Sequence, residues 1–240
     1  MNTQTRHIKY HLAITRAMHE ANKAYGAYPE LDPDTDLLLT VREIERPITF
    51  DDLKFILERV GGPYGWHLRR EYHDPESVEN ITTKLAAPES RQFVFFSGRK
   101  QVGGAIIANL QKGIGDIFRV SADPSLRHDI TSGEIHLTPE DANRTMEIYK
   151  IGLFPEYTRK GMGPLFFPQL LDQLFADKNT EVVYLNTRST NHNGVINFYR
   201  RLNMNVIHAQ EVIDHVVSRQ ESPSTGNLSV GLWPRRFQPT

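Results

Sequence analysis

Hydrophobic and polar positions recur with readable periods over most of the chain and predict an order of elements. Tyr10, Ile14, Ala17, Met18, Ala21 and Tyr25 recur at helical spacing, which predicts a helix ended by Pro29 and the Asp32-Pro33-Asp34 stretch. Asp36 to Ile44 reads as a strand. Thr49-Phe50-Asp51-Asp52 offers side-chain acceptors to the free amides of a helix running to about Val60. Gly61-Gly62-Pro63 breaks that helix ahead of an aromatic loop, Tyr64-Gly65-Trp66-His67-Leu68, and Asp74-Pro75-Glu76 opens a second helix to about Leu85. A hairpin follows: Gln92 to Phe96, a turn at Ser97-Gly98-Arg99-Lys100, and a return strand from Gln101 to Leu110 in which Gly103-Gly104 marks a bulge or close packing.

The pattern dissolves between Gln111 and Asn143, with short strands expected at Asp116 to Val120 and Glu134 to Leu137; a stretch this long inside a domain is functional or mobile. It returns as a strand from Thr145 to Phe154, a glycine-bearing loop, and a helix to about Ala176. A strand at Glu181 to Leu185, a helix from His192 to Leu202, one or two strands between Met204 and Val217, and a last strand at Leu228 to Trp233 complete the order. This is neither a doubly wound alternation nor an all-antiparallel series.

Composition narrows the picture. The 240 residues suit one large domain, or a domain preceded by an appendage, and the linker places the boundary near residue 34: a helical appendage over 1–34 and a main domain over 35–240 with an insertion at about 111–143. Lys and Arg number 28 against 29 Asp and Glu, a balance that gives no push toward nucleic acid or an anionic membrane. With no cysteine, disulfides, thiolate metal sites and a cysteine acyl-enzyme are excluded. His7 and His11 stand four apart, but no third ligand accompanies them, so no metal is expected. No apolar run reaches membrane-spanning length and the N-terminus lacks the apolar core of a signal peptide, which points to the cytoplasm. The N-terminal stripe reads as packing or a homodimer contact, its polar face being too mixed in charge for a membrane.

Two segments carry chemistry. In Glu147-Ile148-Tyr149-Lys150-Ile151-Gly152-Leu153-Phe154-Pro155-Glu156-Tyr157-Thr158-Arg159-Lys160-Gly161-Met162-Gly163 a strand ends, a basic glycine-bearing turn follows, and a helix begins. Such a turn presents unpaired N–H groups at the positive end of a helix, where a diphosphate binds. The Gly-x-Gly alone more often marks a plain strand-to-helix turn than a phosphate site. It is not a Walker loop, because no Gly-Lys-Ser/Thr follows, and not a dinucleotide fingerprint, because no acidic residue ends a next strand. The second segment, Tyr184 to Met204, places an Asn/His turn and the helix motif Phe198-Tyr199-Arg200-Arg201-Leu202 after a strand.

Together the two segments resemble the GNAT superfamily of acyl-CoA N-acyltransferases. The likeness spans roughly 36–215 and is strongest from Glu147 to Met204; the aromatic loop is similar to that of a poorly characterised bacterial subgroup. The resemblance implies an α+β fold, layered α/β/α, whose mixed and mostly antiparallel sheet has a splay between the strands flanking the cofactor helix. It implies that Ile151, Gly152 and Leu153 pair with pantetheine, that Arg159, Lys160, Gly161, Met162, Gly163 and Pro164 hold the diphosphate, and that His192 and Asn193 contact the cofactor. It further implies direct attack of a small-molecule or peptide amine on acetyl-CoA, or another short acyl-CoA, with Glu147 as base through water and Tyr199 as the acid for the departing thiolate. Glu147 is equally readable as a solvated strand residue; for Tyr199 the motif around it favours the acid over a packed aromatic. Tyr64 and Trp66 either shape the acceptor pocket or anchor the two helices. Thr158 stands where the family usually carries Arg or Gln, and Pro168 is expected to kink the cofactor helix or shift its start. A second reading is an acyl-CoA sensor without turnover; acylation of aminoacyl-tRNA is disfavoured by the neutral charge balance.

Overall fold

In the computed structural model, which describes residues 3–30, 39–108, 143–191 and 194–216, seven strands form one mixed sheet flanked by five helices. The strands are β1 (Thr3–Thr15), β2 (Leu39–Ile44), β3 (Arg91–Ser97), β4 (Lys100–Ile107), β5 (Thr145–Leu153), β6 (Val182–Arg188) and β7 (Asn205–Val216). The helices are α1 (Arg16–Ala24), α2 (Phe50–Arg59), α3 (Pro75–Leu85), α4 (Gly163–Phe175) and α5 (Val195–Arg201). The sheet order is β2-β3-β4-β5-β6-β1-β7, antiparallel throughout except for β5 against β6. This is the layered, mostly antiparallel α+β arrangement that the resemblance implies.

Two apolar cores lie on the two faces of the sheet. One gathers Phe166, Phe167, Leu170 and Leu174 of α4 against Phe95, Ile148, Val183 and Leu185. The other gathers Leu53, Ile56 and Leu57 of α2 with Tyr72, Ile106 and Tyr149. The strands between them are covered on both faces, so β4 and β6 read as continuous apolar runs. Helix α2 starts as its sequence predicts. Thr49 accepts from the amide of Asp52 and the Asp52 carboxylate accepts from the amide of Thr49, satisfying two end donors reciprocally. Arg46 grips the same carboxylate with both guanidinium nitrogens, at 2.6 and 2.7 Å.

The N-terminal segment corrects an expectation. Within the helical appendage expected over 1–34, the described residues 3–30 form something else: Thr3–Thr15 is an inner strand that pairs with β6 on one side and β7 on the other. The apparent helical stripe crosses a strand-to-helix junction at Thr15, whose hydroxyl accepts from the amide of Met18 and caps α1. The two-residue period was disguised because β1 buries His7 and His11 on one face. Tyr25, the last member of the stripe, is 87% exposed. The segment is then fixed to α4: Arg16 donates to the carbonyls of Phe175, Asp177 and Thr180, and buried His19 meets Asp172 and Tyr28. On a strand, four residues span about 13 Å, so His7 and His11 are too far apart to share an ion. Among the described residues, no group of three or more His, Cys, Asp or Glu gathers as a metal site.

Other expectations meet the structure with small shifts. Gly103-Gly104 lies beside a register shift in the β3–β4 ladder, as the glycine pair suggested. The aromatic loop is built of three short 3₁₀ turns at Gly62–Tyr64, Trp66–Leu68 and Arg70–Tyr72, which periodicity did not foretell. Helix α4 runs through Pro168 and begins at Gly163, with Pro164 in its first turn. The short strands expected within 111–143 and the last strand at 228–233 lie outside the described residues. No described helix is long and apolar enough to cross a membrane.

Candidate active site

The site begins where two strands part. β5 and β6 pair in parallel only from Thr145–Val182 to Ile148–Leu185. Beyond that, β5 continues to Leu153 against β4, and β6 continues to Arg188 against β1. Each strand is therefore held on its outer side while the inner sides separate. A bulge starts the parting: β4 pairs Ile106 with Lys150 and then Ile107 with Ile148, leaving Tyr149 as the extra residue on β5. An extra residue of this kind bends a strand and increases its local twist. Phe154 donates its amide to Val102 of β4. Alternation along an extended strand then turns the N–H and C=O groups of Leu153 and Ile151 away from β4, toward the gap.

A cavity of about 420 Å³ occupies the opening and crosses from one face of the sheet to the other. On the α4 face it is bordered by the turn after β5. Thr158 bonds its hydroxyl back to the carbonyl of Pro155 at 2.8 Å, so that side chain serves the turn. Arg159 and Gly161 both have positive φ, 61° and 75°. At Gly161 the left-handed conformation carries no side-chain penalty, and a Cβ added there would meet nothing, so the backbone angle alone favours glycine. Helix α4 then starts at Gly163 with no side chain bonded to its first turn. Leu165 and Phe166 already donate to the carbonyl of Met162, so in this first turn it is the Gly163 amide that awaits an outside acceptor. Pro164 has no N–H and lines the cavity with its ring.

Tyr199 lies on α5 at the same opening. Its ring packs edge-on against Phe167 and Phe198, with centroids 5.5 and 5.0 Å away, and burial raises its phenol well above the usual range. It therefore stays protonated at physiological pH and can donate into the cavity it lines.

On the α2 face the border is the aromatic loop. Tyr64 and Trp66 both line the cavity. The Trp66 indole donates at 3.0 Å to Asn191, whose amide donates in turn at 2.9 Å to Thr187 of β6. Gly61 makes room for that indole: a Cβ there would stand 2.3 Å from it. Lys150 enters the cavity beneath Trp66, its ammonium 3.8 Å from the Tyr149 ring centroid and 5.8 and 5.9 Å from those of Trp66 and Tyr72. Burial lowers its pKa to about 7, aided by the charge of Arg69 and opposed by that of Glu71. The ring faces pull the other way, because they favour the cation.

Of the residues expected to act, the structure gathers Tyr64, Trp66, Ile151, Gly152, Leu153, Arg159, Gly161, Met162, Gly163, Pro164 and Tyr199 around this one cavity. Lys160 is exposed, stands 5.4 Å over the Tyr157 ring and does not line it. Glu147 is fully buried on β5, opposite Tyr184 of β6, and reaches the site through its charge on Lys150 rather than as part of the wall. His192 and Asn193 lie outside the described residues. The sequence reading missed Arg69, Lys150, Arg188 and Asn191. Lys150 was visible only as one member of an alternating strand, Asn191 only as part of the Asn/His turn, and nothing local marks Arg69 or Arg188.

Residues 130–204 match the sequence model described as the acetyltransferase (GNAT) family, a span holding all of β5, the turn, α4, β6 and α5. Residues 130–204 belong to the GNAT family. No curated protein matches the chain. Solved structures similar to it include a GCN5-related N-acetyltransferase from Kribbella flavida, at 13% identity over 90% of this chain and 60% of that one, TM-score 0.46. A functionally unknown conserved protein from Staphylococcus epidermidis is 13% identical over 89% of this chain and 62% of that one, TM-score 0.44. An aminoglycoside acetyltransferase from an uncultured soil metagenomic sample, in complex with sisomicin, is 16% identical over 69% of this chain and 87% of that one, TM-score 0.38. The chain thus spans about three-fifths of the length of the first two. The parted strands and the uncapped α4 both fall within the GNAT segment.

Proposed function

We propose that this chain is an acyl-CoA-dependent N-acyltransferase that moves a short acyl group, acetyl in the first instance, to a primary amine. One observation carries the proposal: the β5–β6 ladder stops after Ile148–Leu185 while both strands run on, opening a slot walled by unpaired backbone. A pantetheine arm, with two amides, fits such a slot as a missing strand would. The uncapped first turn of α4 and the left-handed turn before it suit a diphosphate at the slot's mouth. Acetyl-CoA would supply an activated acyl carbon to this site.

The chain's residues would then divide the work. Ile151 and Leu153 hold the arm through main-chain groups, and Gly161 to Gly163 offer amides to the diphosphate. Tyr199 donates its phenolic proton where a thiolate departs. The amine must be deprotonated before attack. Glu147, whose charge acts on Lys150, would draw the proton away through Lys150 or water. A second reading, an acyl-CoA sensor without turnover, is favoured by one observation: Glu147 does not line the cavity. Free-thiol release from acetyl-CoA over a panel of primary amines separates the two. Amine-dependent release supports the enzyme; calorimetric binding of acetyl-CoA without release supports the sensor.

A further inference from the structure

The charge of the cavity wall is one-sided. Among the described residues that line it, Arg69, Lys150, Arg188, Arg159 and Arg201 are cationic and none is Asp or Glu. Arg159 belongs to the turn before α4, where the diphosphate end has been placed, and Arg201 to the last turn of α5. The other three come from separate parts of the fold: Arg69 from the 3₁₀ segment after Trp66, Lys150 from the β5 bulge, and Arg188 from the end of β6. They meet at the opposite end of the slot, beside Trp66, where an acceptor would enter.

Two carboxylates stand near this group, Glu71 and Glu147, and Lys9 of β1 adds a further cation. Among the described residues, four cations therefore face two carboxylates when all are ionised. The imbalance registers on the groups themselves. Burial is the largest influence lowering Lys150 and Arg188, and the charge of Arg69 comes next for each. Burial also lowers Lys9, to about 8, with Arg188 next. Cations that depress one another leave a positive field that an anion would relieve.

We infer that the acceptor is a small amine that carries an anionic group, a carboxylate in the first instance, received by Arg69 and Arg188 at the inner end of the slot. This rests on the acyltransferase reading and names its substrate class. Guanidinium forks match the two oxygens of a carboxylate or a phosphate. The same field disfavours a protonated amine beside it, which helps the acceptor reach its nucleophilic form. A carboxylate beside the amine raises it above the roughly 7.7–8.0 of a peptide N-terminus, so the acids need this help more than their amides do. A polycationic acceptor would meet repulsion at every step of entry. Trp66, braced by Asn191 and seated against Gly61, forms an apolar lid over the same end.

The test uses the full chain and matched pairs of acceptors. Thiol release from acetyl-CoA is measured with glycine, alanine, leucine, phenylalanine, aspartate and glutamate, each against its α-amide, and with O-phosphoethanolamine against ethanolamine. The expected result is at least one acid with kcat/KM about tenfold or more above its amide. Preference confined to the phosphate pair assigns the same cationic end to a phosphate. Arg188→Gln and Arg69→Gln bring the acid-to-amide ratio toward one, and Arg188→Lys retains part of it. Equal or better turnover of neutral amides or of spermidine overturns the inference and leaves the acyltransferase standing. Thiol release from no amine overturns the acyltransferase instead. Calorimetry with the N-acetyl amino acids against their N-acetyl amides, in the presence of CoA, then decides the anion site alone: heat confined to the acids supports it, and equal heats overturn it.

Discussion

The two ends of the cavity are built in opposite ways. The mouth is one continuous stretch, Thr158 to Pro164, whose useful groups are backbone amides and whose shape follows from two left-handed residues. The inner end is assembled from four places: the 3₁₀ segment after α2, the bulge of β5, the end of β6, and the buried face of α5. Its useful groups are side chains. A diphosphate site can thus be written in a short motif, whereas an acceptor site has to be assembled by folding. Substitutions at the mouth should change cofactor affinity modestly and uniformly. Substitutions at the inner end should change turnover and selectivity.

The largest expected effect separates these two behaviours. Tyr199→Phe preserves the packing against Phe167 and Phe198 but removes the proton donor. kcat should fall about 10²-fold or more while the acetyl-CoA KM changes by less than about twofold. A retained kcat would show that the inner end does not act through this phenol.

Next in size is the support beneath the inner end. Helix α2 carries the aromatic loop at its C-terminal side, and Asp52 fixes its N-terminal side through Thr49 and Arg46. Asp52→Asn should cost about 2 kcal/mol of stability in denaturant unfolding, from the weakened cap and the broken ion pair. Burial of the Asp52 carboxyl raises its pKa, but the bonds from Arg46 and Thr49 outweigh that and hold it near 2, against 3.8 in an unfolded chain. The carboxylate's contribution is therefore fully present above about pH 4 and is lost as pH falls through about 2. The gap between wild type and variant should close over that window.

At the mouth, Gly161→Ala places a Cβ on a residue with φ of 75°. The strain, about 1 kcal/mol, should weaken CoA binding roughly fivefold in a calorimetric titration, with kcat at saturation little changed. The smallest effect is at Lys160, which is exposed and outside the cavity wall. Lys160→Ala should change CoA affinity by less than about twofold, and the difference should vanish in high salt. A tenfold loss at Lys160 would mean that side-chain charge governs the mouth, and the contrast between the two ends would fail.

How much could be read in advance follows the same division. The strand, turn and helix from Thr145 to Phe175 were legible because β5 alternates, Pro155 stops it, and a left-handed glycine precedes α4. Tyr199 was legible because its helix motif lies at a recognisable distance from that turn. The inner strand β1 was not, because burying His7 and His11 breaks the rule that inward positions are apolar. Arg69, Lys150 and Arg188 were not, because they lie at least 38 positions apart along the chain and no local pattern announces that a bulge and a loop will bring them together. Glu147 was placed on the right strand, but its depth depends on covering elements that its own segment does not specify.

The central claim is that the gap between β5 and β6 takes up the pantetheine arm and that the turn before α4 takes up the diphosphate. Amide hydrogen exchange, followed with and without saturating CoA, tests it most directly. The account predicts slowed exchange at Ile151 and Leu153 and at Gly161, Met162 and Gly163, with β2 and β3 unaffected. Binding of CoA confirmed by calorimetry, with exchange at these five amides unchanged, would contradict it.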